Sequence, residues 1–192
     1  MDKKAIVIVS GLPRSGTSMM MKMLEAGGLE PITDEIRKAD EDNPKGYYEL
    51  EKVKELDKSD DNSWLENAQG KVVKIISQLL KDLPGNYTYK VVFMRRKMEE
   101  ILASQKQMLV RRGEPTDRIS DEELSSLFRK HLVQMESWLS KQPNFDVLYF
   151  PYNDALTDIS THANKINDFL GGKMNVPAME GVVDKSLHRQ RA

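Results

Sequence analysis

The residues best suited to chemistry lie in Gly11-Leu-Pro-Arg-Ser-Gly-Thr-Ser18. Two glycines bracket four residues there, the spacing of a phosphate-binding loop. Thr17 stands where a nucleoside triphosphatase carries its lysine, and the cation sits inside the loop instead, at Arg14. A guanidinium there stays charged at any working pH and forks onto anionic oxygens. Lys74 interrupts the apolar run Lys71-Val-Val-Lys-Ile-Ile-Ser77, so its ammonium either snorkels to an edge or serves a site. Arg95-Arg96-Lys97 follows another apolar run, and the basic tail carries Lys185, Arg189 and Arg191. The three histidines, His131, His162 and His188, have no metal-ligand spacing.

These groups need elements to hold them. Residues 5–9 form an uninterrupted, β-branched apolar run, the pattern of a strand buried on both faces of a parallel sheet. Thr17 and Ser18 suit a helix start, with Met20, Met23 and Leu24 as its inward stripe and Gly27-Gly28 as its stop. Strand, glycine-bounded loop and helix in that order make an anion site, because free amides and the helix dipole face one concavity. Further strands are expected at 71–77, 89–94 and 145–150. A helix with apolar positions from Met98 to Leu109 puts Ser104 on its inward flank, for packing or for the site. Ser120 and Glu123 form a capping box for a long helix whose stripe includes His131 as a packed residue. Residues 30–70 read as a polar connection, either solvated or a functional lid.

Strands alternating with helices predict an α/β fold: a three-layer α/β/α arrangement, P-loop NTPase-like, on a central parallel sheet of about four to five strands. Ligands bind such sheets at the C-terminal strand ends. Ser10–Arg14, Lys74–Ser77, Arg95–Lys97 and Pro151–Asp154 all fall there. The length of 192 residues fits one domain spanning 1–192. With 29 basic and 30 acidic residues the net charge is −1, so no global field favours nucleic acid or an anionic membrane. The chain has no cysteine, which excludes disulfides and thiolate catalysis. The first apolar run is too short for a signal peptide or membrane span, making the cytoplasm the expected compartment.

Together these residues resemble the sulfotransferase family that uses 3′-phosphoadenosine 5′-phosphosulfate (PAPS). The loop at 11–18 is similar to the family's 5′-phosphosulfate loop, in the Pro-Arg-Ser-Gly-Thr form of the tyrosylprotein branch. Arg96 and Ser104, eight apart, are similar to the Arg and Ser that grip the 3′-phosphate. Tyr152-Asn-Asp154 looks like the family's Tyr-Glu-Asp-Leu segment, whose Tyr lies near adenine. Asn43-Pro-Lys-Gly-Tyr-Tyr-Glu49 is similar to an acceptor-side segment of bacterial members.

The resemblance implies transfer of a sulfuryl group to a hydroxyl or amine of a small-molecule, saccharide or peptide acceptor, with adenosine 3′,5′-bisphosphate leaving and no metal required. Pro13, Arg14, Ser15, Gly16, Thr17 and Ser18 would hold the 5′ side, with Arg14 also neutralising the leaving oxygen. Arg96 and Ser104 would hold the 3′-phosphate, and Lys185 or Arg189 would fold over it. Lys74 matches the strand-end Lys of the cytosolic branch. That branch has its base His two residues on, where this chain has Ile76, so Glu49 becomes the candidate base. Two other readings stand beside this one: a small ATP-dependent P-loop kinase, and an inactive nucleotide-binding module.

Overall fold

The computed structural model describes residues 5–34, 46–58 and 61–184. Its sheet has four parallel strands, β1 (Ile6–Gly11), β2 (Val72–Lys74), β3 (Tyr89–Arg95) and β4 (Phe145–Pro151), in the order β2-β1-β3-β4. The helices are α1 (Thr17–Ala26), α2 (Met98–Arg111), α3 (Asp121–Leu139), α4 (Tyr152–Ala155), α5 (Ile159–Phe169) and α6 (Val176–Gly181). Every residue of β1 is buried, as its unbroken apolar run requires of a central parallel strand.

Alternation along the strands divides the core between the two sheet faces. Val7, Val9, Val72, Val92 and Met94 pack on one side with Met20, Met23 and Leu24 of α1 and with α5 and α6. Ile6, Ile8, Val73, Ile75, Val91 and Phe93 pack on the other with Met135 and Leu139 of α3. This is the expected α/β fold with layers on both faces. No described helix is long and apolar enough to cross a membrane.

Register places the functional edge. Val9 lies opposite Lys74, Gly11 opposite Met94, and Arg95 opposite Pro151. The loop after β1, Lys74, the Arg95–Lys97 stretch and α4 therefore share the C-terminal edge of the sheet.

Two expectations are corrected. The strand at 71–77 is a ladder only over Val72–Lys74; Ile75 still donates to Val9 O at 3.0 Å, and Ser77–Asp82 then winds into a 3₁₀ helix. β1 itself runs on to Gly11 against β3, so it is the second strand that leaves the ladder, drawn off by the 3₁₀ turn that begins at Ser77. The described part of 30–70 is not a solvated connection. It buries Tyr47, Val53, Leu56, Trp64, Leu65 and Ala68, and residues 30–32 bond along the outer edge of β2.

Candidate active site

The loop is held from beneath by its own residues. Ser15 is buried, and its Oγ donates to Leu12 O at 2.7 Å, so this hydroxyl braces the turn. Leu12 anchors the turn against Met98 and Ile101 of α2. Arg14 has φ 68° and Gly16 φ 99°, both left-handed; the first is uncommon for a residue with a Cβ and is the kind of strain found at ligand sites. Gly16 is the N-cap of α1, and no side chain caps that helix. By contrast, Ser120, Asp158 and Asn175 cap α3, α5 and α6 through their own oxygens. The positive end of α1 is thus presented to the loop.

Arg96, just past β3, lies against this loop. Its Nη1 donates to Arg14 O at 3.0 Å, and its Nε donates to Glu100 Oε2 at 2.8 Å. Glu100 is 1% exposed, and its other oxygen accepts from Asn153 Nδ2 at 2.7 Å. Asn153 Oδ1 in turn accepts the Lys97 amide at 3.1 Å. The Tyr152 ring lies 4.8 Å from the Arg96 guanidinium carbon. Burial pushes the Tyr152 phenol up, Arg96 acting against this and Glu100 with it. Arg14 reaches the same neighbourhood from its other end, where Nε donates to Ser104 Oγ at 2.9 Å. A hydroxyl that accepts one bond can still donate its own proton.

The segment 46–50 crosses the β2 end. Lys74 Nζ donates to Tyr47 O and stands 3.8 Å from Glu49 Oε1, with side chains only 11% and 22% exposed. Tyr48 is left-handed at φ 52°, an outlier for a bulky residue. The reversal sends Tyr48 away to donate to Glu25 of α1, while Tyr47 and Glu49 meet Lys74. Burial, then the Glu25 bond, pushes the Tyr48 phenol well up. The segment's backbone is pinned by Thr33 Oγ1, which donates to Glu49 O at 2.9 Å.

Arg14, Gly16, Arg96, Ser104 and Tyr152 therefore form one connected group, and Glu49 and Lys74 a second at the same sheet edge. Pro13 is exposed on the loop, and Thr17 and Ser18 open α1 half-buried. Lys185 and Arg189 lie outside the described residues. Ile76 is 43% exposed beyond β2. His131 is a half-buried residue bonded to Ser77 Oγ at 2.8 Å, its pKa lowered by burial and then by Lys81. Among the described residues no group of three His, Asp or Glu gathers in a metal-holding arrangement. Glu100 and Asn153 escaped sequence reading. Only the Arg96–Glu100 spacing of four at a helix start hinted at the first.

The sequence matches the sulfotransferase domain family over residues 4–191. The chain belongs to that family. Solved structures agree on the fold. The sulfotransferase domain of the Synechococcus PCC 7002 olefin synthase is 15% identical, with TM-score 0.59 over 98% of this chain and 82% of that one. The sulfotransferase domain from the curacin biosynthetic pathway is 15% identical, with TM-score 0.53 over 94% and 78%. Mouse sulfotransferase SULT7A1, solved complexed with PAP, is 16% identical, with TM-score 0.51 over 100% and 68%. No curated protein matches the sequence.

Proposed function

We propose that this sulfotransferase takes its sulfuryl group from PAPS and passes it to a hydroxyl or amine acceptor. The observation that carries the reading is the Arg14–Arg96 pair: two guanidiniums from different strand ends, joined through Arg14 O, beside an uncapped helix start. A ligand with two separate anionic groups fits that donor set. One cation and the amides of 16–18 face the first group, and Arg96 with Ser104 faces the second. PAPS supplies a sulfuryl group on a phosphate leaving group.

The residues then have distinct tasks. Arg14 neutralises charge on the oxygen that the acceptor displaces, and its left-handed backbone holds it in place before the reaction. Ser15 keeps the loop curled, while Thr17 and Ser18 add hydroxyls to the amides of the first helical turn. Glu100 orients Arg96, so the guanidinium needs no rearrangement to receive a phosphate. Lys74 stabilises the sulfuryl oxygens, and Glu49 beside it accepts the acceptor proton. With Ile76 in the position of the cytosolic branch's His, the base comes from segment 46–50 instead.

The whole chain serves as one domain in this reading, and Lys185 and Arg189 of the basic tail add charge for the 3′-phosphate. Deleting residues 184–192 is expected to raise the dissociation constant for adenosine 3′,5′-bisphosphate about tenfold, as loss of charge-assisted bonds does. Unchanged affinity would remove the tail from the site. Release of adenosine 3′,5′-bisphosphate from PAPS with a mixed panel of hydroxyl and amine acceptors tests the function directly. Release by the wild type and none by Arg14→Ala supports it. Tight bisphosphate binding without release on any acceptor would make the chain a nucleotide-binding module.

A further inference from the structure

Tyr152 stands at the start of α4, where the resemblance would set it near a base. Its surroundings describe a different task. The residue is 6% exposed. One neighbour is Gly16, where a Cβ would come within 2.6 Å of the ring carbon Cδ2 and 2.8 Å of Cε2. Another is the Arg96 guanidinium, 4.8 Å from the ring centroid, inside the range of a cation–π contact. The ring thus touches the N-cap of the loop helix and the cation next to it. The residue that follows, Asn153, binds both the Lys97 amide and Glu100, which holds the edge of the same guanidinium.

We infer that Tyr152 is a positioning residue: its ring is wedged between Gly16 and Arg96 and sets the distance between the two anion-binding points, rather than reading the base of the nucleotide. The inference rests on the donor-site reading above and deepens it. Arg96 is fixed on its edge by Glu100, on its ring-facing side by Tyr152 and at Nη1 by Arg14 O. Removing the ring frees one of those sides and leaves a void under Gly16, so the spacing between the phosphate points loosens. The contacts that carry this are made by ring atoms, so the ring should suffice.

The test compares two ligands by calorimetry: adenosine 3′,5′-bisphosphate and the base-free methyl riboside 3,5-bisphosphate. Tyr152→Phe should bind both within about twofold of wild type, and Tyr152→Leu should weaken both by the same factor, about tenfold, the scale of a desolvated cation–π contact. In an Arg96→Lys background the second substitution should cost much less than in the wild type, because the two act as a unit. Selective loss of the adenosine compound in Tyr152→Leu, with the riboside spared, would overturn the inference and return Tyr152 to base reading. Additive effects of Tyr152→Leu and Arg96→Lys would also overturn it. Wild type binding neither ligand would sink the donor-site reading itself, a result distinguishable from both. Should Tyr152→Leu fail to fold, Tyr152→His gives the same ligand comparison with a smaller flat ring.

Discussion

The two halves of the sheet's C-terminal edge are built differently. The half around the anion loop is a dense set of reciprocal bonds. Arg14, Arg96, Glu100, Asn153 and Ser104 are linked by contacts of 2.7 to 3.0 Å, on elements whose ends are fixed by the sheet. The half around Lys74 hangs on segment 46–50, which belongs to no helix or strand, and the Lys74–Glu49 contact there is 3.8 Å long. Tyr48 supplies the geometry there through a strained backbone and a bond to Glu25. The difference matches the demands of transfer between two substrates. A site that receives an invariant donor is pre-organised, while one that takes a variable acceptor is carried on irregular backbone over a rigid scaffold.

Substitutions can break that comparison. Arg14→Ala should have the largest effect, lowering turnover about 10³-fold, the loss that follows removal of a preorganised charge-stabilising donor. Glu49→Gln should lower turnover about 10²-fold, the lower range for a general base, and leave the affinity for adenosine 3′,5′-bisphosphate unchanged. Steady-state rates with bisphosphate titrations separate the two halves: Arg14→Ala moves both readouts, Glu49→Gln only the first. Full turnover in Glu49→Gln would remove the base from segment 46–50.

The smallest expected effect is on stability, at the Ser77–His131 bond beneath the β2 end. Burial holds the His131 pKa below its ordinary 6.5, so the folded chain binds fewer protons than the unfolded one beneath that value. His131 therefore adds stability that is present above pH 6.5 and lost as pH falls through its lower folded value. Melting temperature measured from pH 7 downward should drop less steeply in His131→Gln than in wild type. Parallel curves would show that His131 titrates normally.

The anion-loop half was legible in the sequence because its signals are local. A β-branched run, a glycine-bounded loop and an amphipathic helix are contiguous, and Arg96 and Ser104 are only eight residues apart across a single strand-to-helix junction. Its interior was not legible, because the burial of Glu100 depends on Asn153 arriving from 53 residues away. The Lys74 half gave less. Tyr47 to Glu49 are marked in the sequence only by their similarity to an acceptor-side segment, and the reversal at Tyr48 that sorts them is a tertiary effect no propensity encodes. The apolar run at 71–77 overstates β2 for a similar reason: its composition persists past Lys74, where the chain leaves β1 and winds into the 3₁₀ turn at Ser77.

The most direct measurement of the central claim is calorimetric titration with adenosine 3′,5′-bisphosphate, alongside ATP with magnesium, on wild type and Arg96→Ala. The account predicts binding of the bisphosphate in preference to ATP, weakened at least tenfold in Arg96→Ala as loss of charge-assisted bonds requires. Preference for ATP with magnesium, or bisphosphate binding indifferent to Arg96, would contradict it.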